Sequence, residues 1–338
     1  TCRLYGGDLM FQKYLITGAT GFLGRTIVSQ LLEKNAAIDA LVMENDPLIN
    51  ELPKEVHPVF GDVCDKNSLT AFFKDADNQT CVIHCAGIVS VASNPGERIY
   101  KVNVDGTKNI LQFSLDHSIG KLVYVSSVHS IPEKPKGTAI TEDAQFSPDL
   151  VEGDYAKSKA LATAAVFEAA RQGLNASVVF PSGIIGPGDT GQGSITSTLL
   201  AFIAGKLPLA IKGGYDFVDV RDVAGGIIAC TEKGLANHGY ILSGNYATIK
   251  DILEKIKQIL NLKYNVSYLP INLAKIFAHV YEKWCLKMKK PLNFTPYAIS
   301  VLDSNGKFSY KAAAETFDYK PRPLEKTLQD TLEWLKDN

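Results

Sequence analysis

Tyr155 and Lys159, in the run Tyr155-Ala-Lys-Ser-Lys159, set a phenol and an ammonium four residues apart. On a helix that spacing brings both side chains to one face and so into one site. A cation beside a phenol favours the phenolate and draws its pKa from about 10 toward working pH, which makes Tyr155 a proton donor and acceptor. Upstream, Gly18-Ala-Thr-Gly21-Phe-Leu-Gly24 follows an apolar run and opens a helical pattern. That context turns a glycine spacing into a pyrophosphate site. Gly18 allows the tight turn, Gly21 lets backbone approach phosphate, and Gly24 lets the helix pack closely. The amides of Phe22 and Leu23 would do the binding. Together the two motifs predict redox chemistry on a bound nicotinamide.

Further residues fall where a cofactor would need them. Gly61-Asp62-Val63 comes after a third strand pattern, where a carboxylate and an amide can hydrogen-bond an adenine edge; alone, Asp62 reads as a turn residue or cap. His84-Cys85-Ala86-Gly87 ends the fourth, where small residues admit the cofactor to the backbone. His84 has no second ligand at metal spacing and reads as a satisfied strand-end histidine, so no metal centre is expected. The second strand ends Leu41-Val-Met43-Glu44, without an acidic residue at the strand end itself for a ribose 2′-hydroxyl. Glu44 is nearby, and Arg25 is the alternative that would reach a 2′-phosphate. The expected cofactor is NAD(P)(H), with NAD favoured and Met43 set near the ribose.

Positioning these groups requires alternating strands and helices. Strand patterns at 14–17, 38–43, 56–60, 81–84, 121–125 and 175–180 alternate with helical ones, the signature of βαβ units. The fold class is α/β, a doubly wound parallel sheet of Rossmann type with a smaller, interleaved C-terminal substrate lobe. Residues 22–34 form the first helix, with Leu23, Ile27, Val28, Leu31 and Leu32 turned inward. A helix over about 151–171 carries Tyr155 and Lys159, with Gly173 as its stop signal. The dinucleotide-binding part spans 10–180 with returning segments near 213–245, including 240–242. Residues 181–212 and 246–338 make up most of the lobe, with a helix at 249–260. Residues 1–9 resemble no part of a folding unit and read as an upstream or non-native extension.

Composition removes several function classes. The 338 residues carry 35 Lys plus Arg against 36 Asp plus Glu, so no electrostatic footprint calls for nucleic acid. The six cysteines are scattered without zinc spacing and read as reduced core thiols of a cytoplasmic protein. No apolar run is long enough to span a bilayer. A stripe of Leu273, Ile276, Phe277, Val280 and Trp284, followed by Lys287, Lys289 and Lys290, reads as lobe core with a solvated basic end in preference to a membrane-surface helix.

These motifs occur in order with Val102-Asn103-Val-Asp-Gly-Thr107, Val123-Tyr-Val-Ser126-Ser127, the turn-rich run 181–188 and Phe217-Val-Asp219-Val-Arg221-Asp222. The set resembles the extended short-chain dehydrogenase/reductases, in particular the branch of dihydroflavonol reductases and 3β-hydroxysteroid dehydrogenases, over nearly the whole chain from Met10. The resemblance implies that Ser127 holds the substrate oxygen beside Tyr155, with Ser126 as the alternative one register away. It implies that Lys159 also binds the nicotinamide ribose and that Asn103 orders a water or a backbone kink. Thr20, Cys85, Ala86, Gly87 and Pro181 would join the cofactor site, and helices on the sheet's flank would pair into a homodimer. Tyr215 and Phe180 stand where sugar-nucleotide enzymes of the superfamily carry Arg, which disfavours a diphosphate substrate. Arg221 sits between Asp219 and Asp222 and reads as an ion pair, with Asp222 as a helix N-cap. The expected function is an NAD(P)-dependent oxidoreductase interconverting a secondary alcohol and a ketone on a small, largely apolar molecule. The alternative is an NAD-dependent epimerase or dehydratase, sugar substrates included, and after it a catalytically silent cofactor sensor.

Overall fold

Near-continuous apolar strands flanked by amphipathic helices leave a chain one economical arrangement, a parallel sheet covered on both faces. The structure, a computed structural model, describes residues 11–90, 92, 95–190, 193–288 and 295–337. Residues 1–9, with Lys289 and Lys290, lie outside them. The strands are β1 (Lys13–Thr17), β2 (Ala37–Val42), β3 (His57–Phe60), β4 (Thr80–His84), β5 (Lys121–Val125), β6 (Ala176–Pro181), β7 (Gly183–Ile185), β8 (Leu209–Ile211), β9 (Gly214–Asp219), β10 (His238–Leu242), β11 (Asn245–Thr248) and β12 (Ser267–Leu269). The helices are α1 (Phe22–Leu32), α2 (Lys66–Phe72), α3 (Arg98–Tyr100), α4 (Thr107–Asp116), α5 (Asp154–Arg171), α6 (Ser194–Ile203), α7 (Val220–Lys233), α8 (Ile249–Leu260), α9 (Ile271–Met288), α10 (Pro296–Asp303), α11 (Lys311–Phe317) and α12 (Leu324–Asp337).

The main sheet runs β10-β6-β5-β4-β1-β2-β3 with all neighbours parallel. It is the doubly wound, Rossmann-type sheet, one strand wider than the six patterns above because β10 joins beside β6. Side chains alternate across it: Leu15, Val82, Leu122 and Val178 face one core, while Ile16, Ile83, Val123 and Val179 face the other. Each such burial contributes about 1.5–3 kcal/mol, so register is strongly held. From β1 the chain builds outward through β2 to β3, then crosses back to place β4 on the other side of β1. The crevice this creates lies at the carboxyl ends of β1 and β4, where Thr17 and His84 are paired. Beyond it, β11-β9-β7 form a small second sheet and β12 pairs with β8.

Several expectations need correction. The helix carrying Tyr155 starts at Asp154, not near 151, because a 3₁₀ turn over Pro148–Leu150 and Gly153 at φ 87° break the helical path first. The helix after the glycine loop stops at Leu32, short of 34, and the chain then turns through Asn35 at φ 59°. The N-cap before Arg221 is Asp219, whose carboxylate accepts from the Arg221 amide, while Asp222 accepts from the backbone and guanidinium of Arg322. Arg221 does form an ion pair, with Asp219 and also with Asp330. The stripe on α9 is not lobe core: Ala274, Ala278 and Cys285 point inward, and Ile276, Phe277 and Val280 are exposed. A period of 3.6 defines a stripe without saying which face its neighbours cover. Among the described residues no helix is long and apolar enough to cross a membrane.

Candidate active site

Gly18 takes φ 69°, and a Cβ there would stand 2.7 Å from the Ala86 amide nitrogen, so only glycine lets the β1 turn pass the end of β4. Gly24 faces the turn from α1, where a Cβ would meet the Gly18 carbonyl oxygen at 2.0 Å. Gly21 differs: its backbone is extended, and the nearest atom to a Cβ is 3.4 Å away. The space above Gly21 is therefore open, at the point where the first-turn amides of α1, those of Phe22 and Leu23 among them, lack an i−4 carbonyl. An anion fits there.

Gly18, Thr20, Gly21, Met43, Asp62, Val63, Cys85, Ala86 and Gly87 all border one cavity of about 440 Å³. Phe22, Leu23, Gly24, Pro181, Tyr155 and Lys159 are not among its walls; Pro181 ends β6, and Gly24 acts through packing. Asp62 accepts from the Cys64 amide at 2.9 Å, a turn contact that coexists with its place on the cavity wall. Arg25 does not reach this cavity. Its guanidinium donates to the Gly188 carbonyl and the Thr190 hydroxyl at 2.7 Å and pairs with Glu51, and none of these three lines the cavity.

Sequence reasoning missed Asp46. It lies on the cavity wall four residues beyond β2, accepts the Thr20 hydroxyl at 2.6 Å and also caps the Leu48 amide. It places a carboxylate on the cavity wall next to the end of β2, where the strand itself has none. The signal was the Asp46-Pro47 turn just past Glu44, whose path a strand pattern does not encode. Two cations, Arg98 and Lys101, border the same cavity. The cysteines divide: Cys81, Cys230 and Cys285 are buried thiols, whereas Cys64 and Cys85 are only partly buried and line the cavity.

A buried chain of hydrogen bonds holds the floor of the crevice. The Ala86 amide donates to Thr17 Oγ1, which lies 2.6 Å from His84 Nδ1, while His84 Nε2 lies 2.9 Å from Thr107 Oγ1. Thr107 spends its own proton on the Asn103 carbonyl, so His84 must donate from Nε2 and accept at Nδ1. Burial pulls the pKa of His84 down to about 3, which keeps this neutral tautomer. Asn103 lies in a π-helical stretch, Lys101–Gly106, and clamps Ile88 with its amide, accepting from the Ile88 N–H at 2.7 Å and donating to the Ile88 carbonyl at 3.0 Å. A Cβ on Gly87 would stand 3.2 Å from Asn103 Oδ1 and 3.4 Å from Lys159 Nζ, so Asn103 and Lys159 converge on the cavity wall at Gly87.

The chemistry-bearing groups meet beside it. Ser127, just past β5, stands beside Tyr155 from α5, close enough for its hydroxyl to lower the phenol's pKa, and both are buried. Ser126 points away into a hydroxyl cluster with Ser130 and Thr163, which separates the two serines that the sequence left as alternatives. Lys159 donates to the Val125 carbonyl at 2.8 Å and lies over the Tyr124 ring. Burial pulls its ammonium down to about 8. The Tyr155 phenol is pushed up, not down as the neighbouring cation suggested: burial is the larger cause, and the Ser127 hydroxyl only offsets part of it. Lys159 directs its protons at Val125, so desolvation outweighs the helical pairing.

With this geometry in place, comparison with known proteins is informative. The model of the NAD dependent epimerase/dehydratase family matches residues 14–242. Sterol demethylase protein B of Methylococcus capsulatus is 25% identical over 326 residues, covering 96% of this chain and 98% of that protein. Sterol-4-alpha-carboxylate 3-dehydrogenase, decarboxylating, of Schizosaccharomyces pombe is 26% identical over 338 residues, covering 95% of this chain and 96% of that one. Among solved structures, that of gox2253 superposes with a TM-score of 0.82 at 27% identity, covering 98% of both chains.

Proposed function

The chain belongs to the NAD dependent epimerase/dehydratase family, and from that premise we propose that it is an oxidoreductase interconverting a secondary alcohol and a ketone on a small, largely apolar molecule. The contact between Ser127 and Tyr155, with Lys159 one helical turn on and beside Gly87, is the observation that carries this reading. A nicotinamide bound in the cavity would supply or accept the hydride. In reduction, the Tyr155 hydroxyl gives its proton to the carbonyl oxygen as the alkoxide forms, and Ser127 Oγ holds that oxygen in line. A phenol raised by burial is a reservoir of that proton at neutral pH. Lys159 would hold the nicotinamide ribose hydroxyls, and Asn103, bonded to both backbone groups of Ile88, would keep the Gly87–Ile88 backbone in place beside the cofactor.

The cofactor is NAD in preference to NADP on this reading. Asp46 offers its carboxylate to a ribose hydroxyl, where a 2′-phosphate would meet like charge. Neither Tyr215 nor Phe180 can grip a diphosphate: Tyr215 binds His129, and Phe180 is buried in β6 against Phe146. The test is NADH absorbance with a panel of cyclic and aryl ketones. Steady consumption of NADH with any of them is the expected result; a product isomerised or dehydrated with no net change in NADH would overturn the oxidoreductase reading.

A further inference from the structure

A second cavity, of about 310 Å³, opens between the Val128–Ser130 turn, β9 and α10. At its inner end stand three rings drawn from distant parts of the chain. The Tyr215 hydroxyl lies 3.1 Å from His129 Nε2, and the Tyr297 hydroxyl lies 3.3 Å from Nδ1. The His129 ring meets the Tyr155 ring nearly edge-on, with centroids 5.8 Å apart, so this end of the cavity adjoins the reacting phenol. Tyr297 also packs against the start of α5, where a Cβ on Gly153 would stand 2.5 Å from its ring.

The trio is uncharged at physiological pH. Burial pulls His129 down to about 4 and pushes both phenols up. A neutral imidazole has one N–H and one lone pair, so one phenol donates to His129 and the other accepts from it. The accepting phenol keeps its own O–H for a ligand. Around this group the wall is mixed, Ile131, Ile140 and Phe308 standing among the neutral polar Ser300, Ser304 and Asn305, and its charged residues are Glu133, Asp149 and Glu152; none of the described lining residues is Lys or Arg. A carboxylate or phosphate entering here would lose hydration without a counter-cation and beside three acidic side chains. A neutral hydroxyl or carbonyl oxygen would find a donor.

We infer that this cavity holds the non-reacting end of the substrate and selects an uncharged, oxygen-bearing ring compound over its carboxylated analogue, with His129, Tyr215 and Tyr297 making the polar contact. The inference rests on the reading of Tyr155 as the acid–base group. It is tested by calorimetric titration of the NADH-loaded protein with methyl 4-oxocyclohexanecarboxylate and with the free acid, and by NADH turnover on the same pair. The ester should bind at least about 10-fold more tightly than the acid, the equivalent of one hydrogen bond gained or one charge left unpaired. His129→Phe keeps the ring and removes both nitrogens. It should weaken ester binding about 10-fold and leave NADH affinity unchanged. Glu152 is exposed, so Glu152→Lys folds independently of the core and should narrow the gap between ester and acid. An acid that binds as well as the ester, or an ester that does not bind at all, overturns the inference. Selective ester binding without turnover upholds it and refutes the oxidoreductase reading, whereas turnover of both partners alike does the reverse.

Discussion

Gly21 and Gly24 look equivalent in the sequence, but the structure leaves open space over Gly21 and packs Gly24 against backbone, which we read as a binding glycine and a packing glycine. At Gly21 the backbone is at φ −70° and ψ 167°, a conformation any residue adopts, and a Cβ would meet nothing closer than the Gly18 carbonyl oxygen at 3.4 Å. Gly21→Val should therefore change stability by no more than about 0.5 kcal/mol. Its two methyl groups would fill the space over the first turn of α1 and keep a pyrophosphate from the amides there. Losing two hydrogen bonds to a charged group, each of roughly 1.5–3 kcal/mol, amounts to at least about 10²-fold in affinity. At Gly24 a Cβ would stand 2.0 Å from the Gly18 carbonyl oxygen and 2.8 Å from Ala19 Cα. Both are backbone atoms, so Gly24→Ala must displace α1 from the turn, at about 1–3 kcal/mol. In a chain of 338 residues, with an unfolding entropy of about 0.7 kcal/mol/K, that lowers Tm by roughly 1–4 °C. Thermal denaturation and NADH calorimetry on both variants make the comparison. A Gly21→Val protein that binds NADH like wild type, or a Gly24→Ala protein with unchanged Tm, would refute the assignment of the two glycines.

Tyr155→Phe should leave NADH affinity unchanged and lower turnover by about 10² or more, since it removes one proton and little packing; full activity on a validated ketone would exclude Tyr155 as the acid. Asp46→Asn should raise the ratio of NADP to NAD affinity by about 10-fold, and Met43→Arg should raise it further, because the first removes a like charge from the 2′ position and the second adds a cation; calorimetry with both cofactors reads the ratio, and an unchanged ratio in both variants would place the ribose elsewhere. The Lys159 ammonium, lowered to about 8 by burial, is charged below that pH and loses its proton above it. NADH should therefore bind most tightly below pH 8 and weaken as pH rises through it, and Lys159→Met should bind weakly throughout and lose that step. A step of the same size and position in the variant would assign the titration to another group. With the Tyr155 phenol pushed up, ketone reduction should stay level through neutral pH and decline only in the alkaline range, while alcohol oxidation gains rate there.

What the sequence determined by itself is local: Gly18, Gly21 and Gly24 between a strand and a helix, the Tyr155 and Lys159 spacing, and the small residues after His84. Each is set by backbone geometry over a few residues, or by a repeat of 3.6, and the pattern carries it without reference to the rest of the chain. The parallel sheet was legible for the same reason, since strands buried on both faces read as near-continuous apolar runs. The His84 tautomer, the choice of Ser127 over Ser126 and the facing of the α9 stripe were decided only by what packs on each side. Asp46 reached the cavity wall through a turn whose path the strand pattern does not encode. His129 found Tyr215 and Tyr297 at separations of 86 and 168 residues, which no local spacing reports. The sharpest difference is the Tyr155 phenol. Its neighbour Lys159 can be read from the chain, but the direction of its pKa is set by desolvation, and desolvation belongs to the assembled interior.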